Sequence, residues 1–441
     1  MIVPKVWNGH RMTSHTQRLD GPYEQAQALP PWPPAYVAHP VPARASFAQL
    51  ANVLLMFSVF LAGYHLWRIP DANLTVSDLA FIAAFGLFMA QGRVNLVPFG
   101  PITPLWLVAL ALMLGGLFFS TMMNGDLTRW IIVAGQYLFS FFCIPIVLNA
   151  LPQHRIKSLV VFLVLGVTAM ELVGGIVILT LDYQSALHLL GEDFLGGNGR
   201  LGSFAGEPNW NGSLIAVASP MLVYCIKERL MPVVVGLVCG PILAWGLLLS
   251  ASATGFAATV IAISILLLLL GASHLLRYVL IAALVGGLLV ATGVPLPATF
   301  SKRVGTAISN GDISEAGTYT GRVRLIEEAW QMSEETALVG LGVDEFRNHN
   351  SMHQPVHNLY LLIWTEGGLV ALLGLLTMLS LTIYMPISTL GTRRAESALA
   401  FSVVVVFLIY TMASPHIYAR LSVMPLILAL ALLFSRKDVP S

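Results

Sequence analysis

The sequence predicts an all-α polytopic membrane protein with about twelve transmembrane helices, and three observations carry that prediction. Mean hydropathy is +0.78, with only 10% of the 441 residues charged, well outside what a soluble globular chain carries. Apolar runs of about 18 to 25 residues, each long enough to cross roughly 30 Å of hydrocarbon as helix, recur along almost the whole length. No interval between them has the size of an ordinary soluble domain.

Taken in order, residues 1–45 form a polar, Pro-rich tail (LPPWPPAYVAHPVP) with Lys5, Arg11, Arg18 and Arg44, read as flexible and cytoplasmic. It carries neither the apolar stretch nor the cleavage site of a secretory signal. Hydropathy then places twelve spans near 46–67, 75–92, 103–122, 129–149, 157–181, 209–226, 231–250, 253–271, 277–294, 357–385, 397–415 and 419–435. Residues 46–294 thus hold helices 1–9, residues 357–435 hold helices 10–12, and 436–441 is a short cytoplasmic end. Cys143, Cys225 and Cys239 all fall inside spans, where they act as small apolar residues; neither a disulfide framework nor a cysteine metal site is indicated.

With the N-terminus inside, 14 of the 23 basic residues lie on the inner side. Five of the other nine sit in one long loop, where the charge rule is weak. The two long outer segments are then 182–208 and 295–356, the latter a large periplasmic loop between helices 9 and 10. Loops of that size are usually functional or disordered, and the chemistry is expected there.

The first loop ends GGNGRLGSFAGEPNWNG, residues 196–212. Gly197–Gly202 fits GxGxxG, but no strand precedes it, so a dinucleotide site is not inferred. Arg200 has the planar fork that suits a pair of phosphate oxygens, though a surface arginine in a loop reads the same way. Pro208, Asn209 and Asn211 suit a turn and helix start. The second loop carries Lys302, Arg303, Arg322, Arg324 and Arg347. Within TGRVRLIEEAWQMSEE, residues 320–335, Val323, Ile326 and Trp330 recur at helical spacing, which predicts an amphipathic helix with Arg322 and the glutamates elsewhere around its axis.

His357 and Asn358 close this loop. An imidazole titrates near neutral pH and at a water–membrane boundary can take a proton from a sugar hydroxyl, which makes His357 a general-base candidate; a lone histidine is also often structural. His349, His353 and His357 invite a metal reading, but Pro355 works against the helix that would align 353 with 357. Glu171 and Glu366 are ionisable groups inside spans, read either as parts of a proton relay or as protonated, hydrogen-bonded bundle groups. Glu366 lies nine residues after His357, on roughly the opposite side of a helix. Arg420 enters the last span from outside as another anion-ligand candidate. Trp210, Tyr319, Tyr360, Trp364 and Tyr418 are candidates for stacking on sugars, or plain interface aromatics.

Four items in order resemble the O-antigen ligase and Wzy-type polymerase superfamily: R-x-G-S-F-x-x-x-P-N at 200–209, T-G-R at 320–322, the Gly340-Leu-Gly342 turn with Phe346 after it, and His357-Asn358 followed at a distance by Gly368. The ligase version of the last motif has Gly, Thr or Tyr where Ala371 stands here. The resemblance covers most of the chain from residue 46. It implies a metal-independent inverting glycosyltransferase of the bacterial inner membrane, with both termini cytoplasmic and the active site periplasmic. It implies no cofactor and no nucleic acid. Its substrates would be undecaprenyl-diphosphate-linked oligosaccharides, as donor and acceptor, with a chain-length co-polymerase as a further partner. Mapped here, Arg200 and Arg322 would clamp the diphosphate, Arg303, Lys302 and Arg420 would support them, and His357 would be the base. Asn358, Asn209, Glu207 and Tyr360 would orient the substrate or the base, and Gly367 and Gly368 would allow close packing.

Polymerase and ligase differ in acceptor. Nine basic against fifteen acidic residues on the outer side disfavour the phosphate-rich lipid A core, so an exopolysaccharide or O-antigen polymerase is expected ahead of a ligase. A flippase of lipid-linked sugars is the third reading. It lacks support from any likeness between the two halves of the chain.

Overall fold

The computed structural model describes residues 45–69, 74–196, 199–271, 273, 297–301, 319–415 and 418–435. In chain order the helices are α1 (Ala45–Phe60), α2 (Val76–Ala90), α3 (Thr103–Asn124), α4 (Leu127–Leu138), α5 (Ile144–Leu148), α6 (Gln153–Thr180), α7 (Tyr183–Leu190), α8 (Pro208–Lys227), α9 (Val233–Ser250), α10 (Ala253–Leu270), α11 (Tyr319–Glu335), α12 (Glu345–His349), α13 (Leu359–Thr389), α14 (Arg394–Thr411) and α15 (Arg420–Phe434). Two small antiparallel hairpins interrupt them: β1 (Arg68–Ile69) with β2 (Leu74–Thr75), and β3 (Leu195–Gly196) with β4 (Arg200–Leu201).

The protein is therefore all-helical in its membrane part. Seven helical segments of the described residues are long and apolar enough to cross a membrane, and Phe47–Phe60, Val76–Ala90 and Arg420–Phe434 are shorter apolar helices. The expected span at 277–294 lies outside the described residues, as does the N-terminal tail up to residue 44. Two boundaries differ from expectation. α1 stops at Phe60, before the turns that lead into β1, and α13 starts at Leu359, with His357 still in the loop.

Among hydrocarbon tails, helices gain little from leaving lipid for one another, so close packing and satisfied polar groups must hold them. Small residues supply that packing between α3 and α13. A Cβ on Gly116 would lie 2.6 Å from the Ala371 amide nitrogen, so only glycine lets the two backbones approach this closely. α8 and α10 meet the same way, where a Cβ on Gly255 would lie 2.9 Å from Gly212 Cα. α15 is apolar all round and almost wholly buried from Val423 to Leu433, as expected of a helix enclosed by others. It packs against α5, α6, α8, α13 and α14.

α4 passes into α5 through a π-helical turn, Phe139–Cys143, in which Ile144 N–H bonds the Phe139 carbonyl. Pro145 has no N–H to give and follows directly, which accounts for a local register change at this place. The turn brings Ser140 Oγ to the Tyr418 carbonyl at 2.8 Å and so sets the entry to α15.

Contacts sort the connections into two ends. At one, Leu66 N–H bonds Phe204 O, Asn124 bonds Gly340 O, Arg129 meets Asp344 and Arg200 meets Ser250. At the other, Lys157 lies between Glu228 (3.6 Å) and Glu396 (3.3 Å), Gln153 bonds Glu396, and Arg393 caps the carbonyls of Leu432 and Ser435. Every described candidate site residue lies at the first end.

Candidate functional site

The connection from α7 to α8 builds one wall. Glu207 is the N-cap of α8, and its carboxylate accepts the amide hydrogens of Asn209 (3.0 Å) and Trp210 (2.9 Å), the unpaired donors of a helix start. Its other oxygen accepts from Asn209 Nδ2 at 2.6 Å, which turns the amide so that Asn209 Oδ1 receives Arg200 Nη2 at 3.1 Å and Ser252 Oγ at 3.2 Å. Arg200 Nε bonds the Ser250 carbonyl at 3.0 Å, a group left by the end of α9. Arg200 is 8% exposed, so it is a buried, oriented cation and not a surface arginine.

α11 carries the second group of candidate residues, with its inward face turned partly away from the expected one. Leu325, Ala329 and Ser333 are buried and Ile326 packs beside them, while Trp330 is 50% exposed, so the inward stripe is centred on 325, 329 and 333 and the expected face is wrong at Trp330. The reason is the neighbour. Leu325 and Ala329 pack on Phe346, Val356 and Leu362, and Thr365 Oγ1 bonds the Ala329 carbonyl at 3.2 Å, while Trp330 turns out to meet Trp364 edge-on. Arg322 is thereby carried inward. Its Nε is buried and has no hydrogen-bond partner among the described residues. Arg324 faces outward and pairs with Glu328 at 3.0 Å.

His357 stands within reach of the Arg322 charge, two residues before α13. Asn358 caps that helix by accepting Leu361 N–H at 3.1 Å, so its oxygen is committed to the fold. His357 Nδ1 is buried with no partner among the described residues. Burial, and next the charge of Arg322, push the imidazole down to about 4, so it is neutral at physiological pH. Tyr360, one turn on, bonds Thr411 Oγ1 at 3.1 Å and ties α13 to the end of α14. Tyr410, the residue before Thr411, lies beside Ser252 and within electrostatic reach of Glu207, Arg200 and Arg322.

Of the two glycines inside α13, Gly367 leaves room for Leu117 of α3, and Gly368 serves the loop that carries Arg322 and His357. The helix breaks at Gly368 (φ 69°, ψ −172°), and the turn Gly340–Gly342 docks on the break. Leu341 N–H and Gly342 N–H bond the carbonyls of Thr365 (2.8 Å) and Glu366 (2.9 Å), and Leu369 N–H bonds Ala337 O at 2.9 Å. Carbonyls and amides freed by the break are thus satisfied by the loop, as irregular backbone at membrane depth requires. Glu366 belongs to a second cluster nearby. Its carboxylate accepts the Asp344 N–H, and Asp344 itself pairs with Arg129 at 2.7 Å and Arg347 at 3.5 Å.

The other expected residues lie elsewhere. Arg420 is 4% exposed and forks onto Asp78, with Nη2 to Oδ2 at 2.9 Å and Nη1 to Gln136 at 2.5 Å. It lines an apolar groove of about 480 Å³ beside Ile131, Gly135 and Phe139, with its guanidinium held by a carboxylate. Arg303 and Lys302 fall outside the described residues, and so does the side chain of Tyr319. His349 and His353 turn to backbone carbonyls, and among the described residues no group of three or more His, Cys, Asp or Glu side chains is placed to hold a metal. Glu171, 1% exposed, accepts from Asn211 Nδ2 at 3.2 Å inside the bundle.

Sequence reasoning missed Tyr410, Ser252 and the Asp78–Arg420 pair. The signal for the first two was present: a tyrosine and a serine at the same-side ends of two predicted spans.

Residues 238–376 match the family model Wzy_C, described as O-antigen ligase. The matched stretch includes Arg322, the Gly340–Gly342 turn, His357, Asn358 and Gly368, while Arg200, Glu207, Asn209 and Tyr410 lie outside it. The match agrees with the resemblance to the O-antigen ligase and Wzy-type superfamily and indicates a multi-pass membrane enzyme of glycosyltransferase type. No curated protein matches the chain.

Proposed function

We propose that this protein is a polysaccharide polymerase. It joins undecaprenyl-diphosphate-linked oligosaccharide repeat units into an exopolysaccharide or O-antigen on the periplasmic face of the bacterial inner membrane. The single observation that carries the reading is the convergence of Arg322 Nε and His357 Nδ1, both buried and without a hydrogen-bond partner among the described residues, with the oriented guanidinium of Arg200 at the same end of the bundle. Buried polar groups are normally satisfied, so such a set suits a ligand that brings its own negative charge and hydroxyl.

The chemistry follows from the charges. Arg200 and Arg322 hold the diphosphate of the donor. As the sugar C1–O bond breaks, its electron pair stays on the diphosphate, where the two guanidinium groups stabilise the developing charge without ATP. His357, neutral at working pH, takes the proton from the acceptor hydroxyl as that oxygen attacks C1 from the opposite face. Glu207 and Asn209 hold Arg200 in place, and Asn358 holds the turn that presents His357.

The test is incubation of the reconstituted protein with a lipid-linked repeat unit alone, reading product masses. A ladder of longer glycans supports the polymerase. Transfer only after a lipid A core acceptor is added would make the protein the ligase that the family description names, and transport into vesicles with no new glycosidic bond would make it a carrier.

A further inference from the structure

Tyr410 is placed at the site but is unused in the chemistry above. It sits one residue from the end of α14 and is 7% exposed, and its buried hydroxyl meets no well-aligned hydrogen-bond partner among the described residues, with Ser252 the one side chain close enough to interact. Ser252 Oγ already donates to Asn209 Oδ1 at 3.2 Å and accepts Gly255 N–H at 3.2 Å, so what it offers Tyr410 is a second, shared lone pair. Room for the hydroxyl comes from Gly212, where a Cβ would lie 3.3 Å from Tyr410 Oη and 2.9 Å from Ser252 Oγ. Its neighbours in charge are Arg200, Arg322 and Glu207. The Thr411–Tyr360 bond at 3.1 Å holds this end of α14 against the first turn of α13, directly after His357 and Asn358.

A buried hydroxyl whose one neighbour is a shared, poorly aligned serine contributes little to a fold, and phenylalanine would fill the same volume without the cost of desolvating it. The tyrosine therefore needs another reason. We propose that the Tyr410 hydroxyl is a third ligand of the donor diphosphate, giving a neutral hydrogen bond to a phosphoryl oxygen held by Arg200 and Arg322. This rests on the glycosyl-transfer reading. A neutral donor adds a bond to the leaving group without adding to the repulsion between two arginines. Tyr410 keeps its proton throughout. The C1–O bond to the diphosphate breaks with its electron pair on the diphosphate, the C1–O bond to the acceptor forms, and the acceptor proton goes to His357.

The experiment compares full-length wild type with Tyr410→Phe in lipid, measuring thermal unfolding, binding of undecaprenyl diphosphate against undecaprenol, and turnover. The expected result is an unfolding midpoint equal to or above wild type. Diphosphate affinity or turnover should fall about ten- to a hundred-fold, the size of one hydrogen bond to a charged group, with undecaprenol binding unchanged. Wild-type affinity and turnover in the variant would overturn the proposal alone. So would a lower unfolding midpoint, which would mean the hydroxyl holds a structural partner. A wild type that binds undecaprenyl diphosphate no better than undecaprenol would overturn it together with the glycosyl-transfer reading.

Discussion

Arg322 and His357 lie 35 residues apart in the chain, yet the guanidinium charge of Arg322 acts on the His357 imidazole and, after burial, is what holds it down to about 4. α11 packs Leu325 and Ala329 onto Val356 and Leu362, on either side of His357, and Arg322 shares their face. The pairing of a fixed cation with a neutral imidazole is what a site needs to bind an anionic leaving group and deprotonate a hydroxyl together.

A pH dependence follows from that relationship. The folded imidazole lies below its ordinary value of 6.5, so its neutral form is favoured by the fold. The stability this contributes is present above 6.5 and is lost as pH falls from there through about 4. The rate at low substrate, which reports the free enzyme, should stay flat through neutral pH and fall only on the acid side of 6.5. Arg322→Gln should move that limb toward 6.5. At saturating donor the bound diphosphate should move it the same way in wild type. Profiles of initial rate against pH, at low and saturating donor, check both.

The two arginines are distinguishable from lysines. Arg200 uses separate nitrogens for Ser250 O and Asn209 Oδ1, a geometry an ammonium cannot copy. Arg200→Lys and Arg322→Lys should each lower turnover about 10²- to 10³-fold, with most of the protein still folded. Steady-state kinetics beside a thermal unfolding scan separates the chemical loss from misfolding.

Asp78 and Arg420 are predicted to matter for folding. Asp78 is fully buried and also closes the capping box of α2 with Thr75, so Asp78→Ala strands a buried guanidinium. Breaking such a pair costs about 3–5 kcal/mol. The double replacement Asp78→Leu with Arg420→Met should recover much of that loss. Unfolding midpoints of the single and double variants in the same detergent decide it.

The Gly340–Gly368 contact is a backbone one. Gly340 has φ 82°, and a Cβ there would lie 2.6 Å from the Glu366 carbonyl oxygen and from the Gly368 amide nitrogen. Gly340→Ala should destabilise the docked loop by more than about 1 kcal/mol and leave it open to proteolysis, with the bundle intact. Limited proteolysis followed by mass measurement of the cut sites reads this out.

These residues mark where the sequence was legible. Long apolar runs dictate helices because lipid leaves the backbone no other way to bond itself, and the helices follow those runs wherever the chain is described. Arg200 and His357 could be singled out as candidates from a loop glycine cluster and a polar pair at a helix mouth, but a surface arginine and a structural histidine read the same way, and the burial of each depends on packing. The centre of the inward face of α11 was not legible, since Leu325 and Ala329 look no more apolar than Ile326 and Trp330, and only the partner surface turns Trp330 out. Nor was the Asp78–Arg420 pair, whose members are 342 residues apart and meet only once α2, α4 and α15 are packed. Glu366 could be seen as unusual, but its bond to the Asp344 amide depends on a helix break at Gly368 that no local pattern announces.

The most direct test measures donor binding and glycan formation in the same proteoliposomes, for wild type and for His357→Ala. With His357 as the base and Arg200 and Arg322 as the diphosphate clamp, the variant should bind undecaprenyl-diphosphate-linked repeat unit within a few-fold of wild type and form no ladder. A His357→Ala protein that still builds the ladder at near wild-type rate would contradict the account.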